Sequence, residues 1–199
     1  MPDRRFDNLV IFARRPALGV GKRRLAADVG DVEAWRFQRW AVAGLVRRLS
    51  GDPRWRVHLA VAPDRPAGWP GTGLSVWPQG RGDLGQRLMR LARRFPAGRL
   101  VIIGSDTPDI DRADIAAAFE ALRGRHAVVG PATDGGYWLI GLRRFPRGPA
   151  PFSGVRWSSP ETLSDTLEAL AGWRTARLRT LSDVDDGAAL ARWRAGQRP

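Results

Sequence analysis

The sequence contains no cysteine and only one lysine, Lys22. The first absence excludes disulfides and thiolate metal sites and fits a reducing compartment. The second leaves arginine carrying nearly all of the positive charge. Long hydrophobic runs are missing too. The longest near the N-terminus, Leu9–Ala13, is far short of a signal-peptide core, and no stretch approaches the length that crosses a bilayer. The expectation is a cytoplasmic protein with no membrane insertion. Histidine is scarce, and neither copy suggests a catalytic pair. His58 lies inside an apolar strand and His126 opens another, so both read as structural.

What is abundant is arginine. With 33 basic against 20 acidic residues, the net charge is +13 and the isoelectric point about 11.7. Such a value suits nucleic-acid binders. The arginines, however, are scattered in ones and twos, as in Arg47-Arg48, Arg93-Arg94 and Arg143-Arg144. A solvated basic surface is the expectation, with nucleic acid an unfavoured partner and small phosphate-bearing molecules a compatible one. At 199 residues, 43% apolar and 27% charged, the chain is sized for a single domain, residues 1–199, with one substantial core.

Along the chain, branched apolar runs alternate with helical periodicity. Strands are expected at Asp7–Ala13, Trp55–Ala62, Leu74–Trp77, Arg99–Gly104, His126–Gly130 and Thr175–Arg179, with a further apolar segment at Tyr137–Leu142. Val32–Leu49 sets Phe37, Trp40, Ala41, Gly44, Leu45 and Leu49 on one helical stripe. Asp83 with Gln86 resembles a capping box ahead of inward-facing Leu84, Leu88, Leu91, Ala92 and Phe95. Asp111 caps a helix buried through Ile115, Ala118, Phe119 and Leu122. Ser159 and Pro160 open one with Leu163, Leu167 and Leu170 inward, and Asp186–Arg194 forms the last. The Pro/Gly-rich stretches Pro63–Gly73 and Pro146–Pro151 read as surface loops. This alternation predicts an α/β fold whose mainly parallel sheet is covered on both faces.

In such a sheet, ligands bind beyond the carboxyl ends of the strands. Three segments lie there. The loop Arg14–Gly21 and the following Lys22, Arg23 and Arg24 combine glycines, which let amides approach an anion, with concentrated positive charge. A helix starting near Lys22 would add its positive end. The segment is not a P-loop, because Gly21-Lys22 is followed by arginine. The one lysine of an arginine-writing chain stands here, and a compact ammonium is not freely exchanged for guanidinium. In Gly104-Ser-Asp-Thr-Pro-Asp109, Asp106 sits at a strand tip, where a hard cation takes carboxylate and phosphate oxygens. Asp109 and Asp111 have ready roles as turn and cap residues. The third segment, Gly130–Gly141, carries Asp134-Gly135-Gly136, which is also an ordinary hairpin turn, next to Tyr137-Trp138. A fourth cluster, Ser182–Asp186, places Asp183 and Asp185 on one side of an extended chain and leaves Asp186 as a helix cap.

Read together, FARRPALGVGKRRLA (12–26), QGRGDLGQRL (79–88), IIGSDTPDI (102–110), GPATDGGYWLIGL (130–142), FSGVRWSSPETL (152–163) and LSDVDDGAAL (181–190) resemble an uncharacterised bacterial family. That family is glycosyltransferase A-like and related to the nucleotide-diphospho-sugar transferases. More distant likenesses are the guanylyltransferases that activate phospholactate or the molybdenum cofactor. The resemblance implies a three-layer Rossmann-like fold of glycosyltransferase A type. It assigns the nucleotide phosphates to Arg14, Gly19, Lys22 and Arg24, with Ser105 beside them, and the base or ribose to Gln79, Asp83 and Leu84. Asp106 and Asp185, the latter favoured over Asp183, would hold Mg²⁺ or Mn²⁺. Asp134, Gly135, Gly136 and Tyr137 would line the acceptor side.

The sequence departs from the family pattern twice. Lys-Arg-Arg-Leu replaces the usual Lys-Thr-Arg-Leu, and Asp-Gly-Ala-Ala follows the terminal aspartates where Thr-Pro-Glu-Asp is usual. The implied activity is a metal-dependent transferase in which Lys22 and Asp106 are catalytic. Its donor is a nucleoside triphosphate or an NDP-sugar and its acceptor a small molecule. The alternatives are a non-catalytic basic nucleic-acid binder and a degenerate member that binds nucleotide without transferring it.

Overall fold

The computed structural model describes residues 7–64, 73–95, 98–143 and 151–196. Most of the two expected surface loops, and Arg144, lie outside these residues.

Seven strands form one sheet: β1 (Asp7–Arg14), β2 (Trp55–Ala62), β3 (Ser75–Pro78), β4 (Leu100–Gly104), β5 (Ala127–Pro131), β6 (Tyr137–Leu142) and β7 (Thr175–Arg177). Their order is β3-β2-β1-β4-β6-β5-β7. Every pairing is parallel except those of β6, which runs antiparallel between β4 and β5. Six helices accompany the sheet among the described residues: α1 (Arg23–Val29), α2 (Asp31–Leu49), α3 (Leu84–Ala92), α4 (Arg112–Gly124), α5 (Thr162–Ala169) and α6 (Gly187–Gly196). No helix among the described residues is long and apolar enough to cross a membrane.

The alternation along β1 divides its side chains between two layers. Leu9, Ile11 and Ala13 face α2 and α4, meeting Val42, Leu45, Leu49, Ile115, Ala118, Phe119 and Leu122. Val10 and Phe12 face the other way, toward Leu88 and Leu91 of α3 and the leucines around α5. Parallel strands buried on both faces read as continuous apolar runs, and Leu9–Ala13 of β1 and Leu100–Ile103 of β4 are such runs. A smaller third cluster joins α1, α2 and α6 through Leu25, Phe37, Ala41, Val184 and Leu190. The architecture is the three-layer Rossmann-like arrangement that the sequence implies.

Position in the sheet is what matters for a site. From β1 the chain runs outward through β2 and β3, then returns to place β4 on the other side of β1. The carboxyl ends of β1 and β4 lie side by side, Gly104 closing β4 opposite Phe12 while β1 continues to Arg14. Connections leaving in opposite directions open a crevice between these strand ends.

Asp134-Gly135-Gly136 forms the hairpin turn its sequence also reads as, so that Tyr137–Leu142 runs antiparallel to β5. Other local expectations are corrected. Ser159 caps no helix. Its hydroxyl engages Glu161, and α5 begins at Thr162. Trp40 is 44% exposed rather than inward, since α6 covers only part of α2, its Trp193 ring meeting the indole at a tilt with centroids 4.7 Å apart. Leu84, at the first turn of α3, is 37% exposed. The capping boxes at Asp83 with Gln86 and at Asp111 are both formed, the second closed by Asp114.

Both histidines are structural. His126 Nδ1 accepts from the Arg174 amide. His58 is buried against Asn8 Oδ1 at 3.0 Å, and burial with the nearby Arg56 charge depresses its pKa to about 4. A depressed folded pKa means that the neutral ring is the native form. Its contribution to stability is therefore complete above pH 6.5 and lost as the pH falls toward 4. ¹⁵N NMR of the native protein should find His58 still neutral at pH 5. A second prediction concerns Gly135, whose φ is 87° and where a Cβ would lie 2.1 Å from the Pro160 carbonyl oxygen. Gly135→Ala should cost about 3 kcal/mol or more in denaturant unfolding, through strain and the broken hairpin–α5 contact.

Candidate functional site

The loop leaving β1 is held by the Arg15 amide, which donates to the Ala62 carbonyl at 2.8 Å, and by a small bridge from Ala17 to Val20. It then turns through positive φ at Gly19, Gly21 and Lys22. At Gly21 a Cβ would press on Gln38 Nε2 and Arg14 Cδ. Lys22 is not glycine, yet its backbone is left-handed, at φ 44° and ψ 45°. That conformation costs an ordinary residue about 1–2 kcal/mol. It aims the side chain back across the crevice. The helix that follows, α1, has only seven residues. Its dipole is correspondingly weak, so the loop's positive character rests on side chains.

Across the crevice, the turn after β4 presents Asp106. The Asp106 carbonyl accepts from the Val184 amide at 2.9 Å, which seats the C-terminal aspartate segment beside it. Lys22 Nζ then lies 3.0 Å from Asp106 Oδ1, 2.5 Å from Asp185 Oδ1 and 2.7 Å from the Val184 carbonyl oxygen. The other oxygen of Asp185 accepts from Arg24 at 3.1 Å. Burial works against the Lys22 charge, but the two carboxylates outweigh it and hold the ammonium pKa above its ordinary value. Burial likewise opposes the Asp185 charge, and Lys22 overcomes it to keep that carboxyl below the usual range. Asp183 behaves oppositely. Burial, with the charges of Asp185 and Asp134, raises it to about 6.

Lys22, Arg24, Asp106 and Asp185 line a cavity of about 410 Å³. Of the expected nucleotide residues, Arg14, Lys22, Arg24, Gln79 and Ser105 reach it, as do the expected metal residues Asp106 and Asp185; Gly19, Asp83 and Leu84 do not. Gly19 is the apex of the loop, with nothing within 4 Å of a Cβ added there. Asp83 is spent on its cap, accepting from the Gln86 amide at 2.8 Å. Gln79 is buried, and its Nε2 donates to the Ala13 and Ala60 carbonyls at 3.0 and 2.9 Å, tying β1 to β2. Its amide protons are therefore unavailable to a ligand. Sequence reasoning missed Phe12, Gln38 and Arg87 as lining residues. Arg87 had a signal, since it lies one helical turn beyond Asp83. Gln38 had none, being one of many polar residues along an amphipathic helix.

The expected acceptor residues are placed differently. Asp134 Oδ1 accepts from the Gly136 amide at 2.8 Å, shaping the hairpin turn, and its charge reaches Asp183. Gly135 packs on Pro160. The Tyr137 ring packs into the α3–α5 core and its hydroxyl is cut off from solvent, where burial pushes the phenol well above its ordinary pKa. Tyr137 thus touches no acceptor in this conformation.

Among the described residues, no set of three or more acidic or histidine side chains is arranged to hold a metal unaided. The pair that converges, Asp106 Oδ1 and Asp185 Oδ1, supplies two hard oxygens beside a cationic pocket. That donor set fits Mg²⁺ or Mn²⁺ when the remaining positions are taken by phosphate and water.

The family described as "Uncharacterized protein conserved in bacteria (DUF2064)" matches residues 45–159, more than half of the chain. The chain belongs to the DUF2064 family. No functionally curated protein matches it in sequence. A solved structure from Desulfovibrio desulfuricans G20, assigned by name to the nucleotide-diphospho-sugar transferases, is 27% identical to this DUF2064 chain, with a TM-score of 0.88. The alignment covers 96% of this chain and 88% of that one. CMP-2-keto-3-deoxy-manno-octonic acid synthetase in complex with CTP matches at 16% identity and a TM-score of 0.60, over 96% and 97% of the two chains. Glucosyl-3-phosphoglycerate synthase from Mycobacterium tuberculosis, bound to Mg²⁺ and UDP, matches at 12% and 0.53, over 90% and 70%. At these identities the last two show a shared fold.

Removing the ammonium leaves two facing carboxylates, one of them 53% exposed at its side chain and the other 33%. Lys22→Ala should therefore cost about 2 kcal/mol in metal-free denaturant unfolding, between the values for surface and fully buried ion pairs.

Proposed function

We propose that this protein is a metal-assisted transferase acting on a nucleotide-activated donor, whose phosphate chain lies along Arg14, Lys22, Arg23 and Arg24 at the β1–β4 crevice. The observation that carries the reading is the meeting of Lys22, Asp106 and Asp185 at the topological switch point, on the wall of a cavity with several arginines. Phosphoryl and glycosyl transfers of this kind depend on positioning and charge neutralisation rather than on a covalent nucleophile. Arg14, Arg23 and Arg24 would orient the phosphates and neutralise their charge. Asp106 and Asp185 would hold the cation. A divalent cation, when bound, offsets the negative charge that develops on the departing phosphate group.

Two chemistries share this geometry. In nucleotidyl transfer, a phosphorylated acceptor attacks the α-phosphate of a nucleoside triphosphate and pyrophosphate leaves. The surplus of guanidinium in the pocket, with Arg23 added to Arg14 and Arg24, favours this version because a triphosphate brings more charge to neutralise. In glycosyl transfer, an acceptor hydroxyl attacks the anomeric carbon of an NDP-sugar and the nucleoside diphosphate leaves. The name given to the D. desulfuricans structure supports that second reading.

A thermal-shift panel of nucleoside triphosphates and NDP-sugars, with and without Mn²⁺, tests the proposal. The true donor at a hundredfold excess over its Kd should raise the melting temperature by about 5–10 °C. Mn²⁺ should enlarge that shift, and Asp106→Ala should remove the enlargement. A flat panel with metal and without would refute both chemistries. Tight, salt-sensitive binding to DNA or RNA that is indifferent to Asp106→Ala would favour the nucleic-acid alternative instead.

A further inference from the structure

The two carboxylates that would receive a divalent cation already grip a monovalent one. An ammonium has three protons to donate and no acceptor capacity. In Lys22 these three are matched by Asp106 Oδ1, Asp185 Oδ1 and the Val184 carbonyl oxygen. Nothing is left over for a phosphate oxygen. In this arrangement the loop's compact cation faces away from the task its position suggests, and its point of anchorage is the point where the carboxylate oxygens converge. A hard cation binds such oxygens at about 2.0–2.1 Å, so it and the ammonium cannot occupy that point together.

We propose that Lys22 and a divalent cation exchange at one position: the ammonium is a resident placeholder between Asp106 and Asp185, the metal evicts it, and the released ammonium turns into the cavity as a phosphate ligand. The phosphate half of this proposal rests on the nucleotide reading above; the exchange itself does not. Three features of the structure favour exchange over a permanent salt bridge. The carboxylate pair is assembled by backbone, through the Val184 amide and the Asp106 carbonyl at 2.9 Å, so the pair does not need the lysine to stay in register. Arg24 holds the second oxygen of Asp185 and would keep that carboxylate oriented after the ammonium leaves. Lys22 is also one of only two non-glycine residues at positive φ among the described residues, and its backbone strain is coupled to the pose that reaches the two aspartates.

Exchange predicts that metal alone binds weakly, because it must displace a cation, and that metal and nucleotide assist each other, because the displaced ammonium gains a new partner. Isothermal titration of the full chain with Mn²⁺ alone is the test. Lys22→Met should bind Mn²⁺ at least about tenfold more tightly than the wild type, since it removes both the occupant and its charge. Arg24→Met removes an equal charge from the same Asp185 without vacating the position, and should gain less than about threefold because its guanidinium is exposed and screened. The Lys22→Met gain should vanish when Asp106→Asn is added. Equal affinity in Lys22→Met and wild type, or an equal gain in Arg24→Met, would overturn the exchange.

Should Lys22→Met fail to fold, the wild type decides the matter, because Lys22 is the chain's one lysine. Its acylation by an amine-selective reagent, read by peptide mass spectrometry, should accelerate in millimolar Mg²⁺. An unchanged rate counts against the proposal. No nucleotide enters these experiments. A failed nucleotide panel would therefore leave the exchange standing, and a flat Mn²⁺ result would leave nucleotide binding untouched.

Discussion

One buried positive charge organises the cleft. Lys22 leaves the β1 loop in a left-handed conformation, crosses the crevice and draws together a strand-tip aspartate and a carboxylate nearly eighty residues further along the chain. Two backbone hydrogen bonds anchor the three segments, so the charge meets a surface that is already built. The loop is pinned to β2 through Arg15 and Ala62, and the terminal segment is pinned to the β4 turn through Val184 and Asp106. Electrostatics then acts over short distances and in partial burial, where it is strongest. Several other arginines, such as Arg99 with Asp7 and Arg156 with Asp165, are held in their own pairs away from the cleft.

Much of this was legible before any coordinates. The apolar runs of β1, β2 and β4 marked strands, and the Asp83–Gln86 cap pair and the Asp111 cap marked the starts of their helices. Lys22 and Asp106 could be singled out because each resisted a routine structural explanation. A lone lysine in an arginine-rich chain and an aspartate at a strand tip both break local rules, and such breaks concentrate at working positions. What the sequence concealed was the relation between them. A lysine near a phosphate loop and a carboxylate near a metal position read as two separate tools. Only the fold shows that one is the other's counter-ion.

Several expected site residues also carry structural duties. Asp83, Gln79, Gly135 and Tyr137 belong to motifs suggestive of ligand contact, while their hydrogen-bonding groups or their space are engaged by neighbours: a helix cap, two strand carbonyls, a proline backbone and the core. Gln79 nonetheless reaches the cavity. Side-chain capacity is finite, and a motif does not reveal how it is already spent. Trp40 was misplaced because a helical stripe predicts the buried side of a helix, not how far a neighbouring helix extends over it.

The route by which Asp185 is delivered carries a mechanical consequence. After β7, the Arg179 guanidinium forks onto the buried carboxylate of Asp114 in α4, and its carbonyl accepts from the Trp138 indole. Leu181 then exchanges backbone hydrogen bonds with the rim of β5, before Val184 reaches Asp106. The last aspartate of the cleft is thus suspended from a rail whose far bracket lies on α4. Damage to that bracket, well outside the cavity, would be transmitted along the rail as slack at the wall of the cleft that carries Asp185.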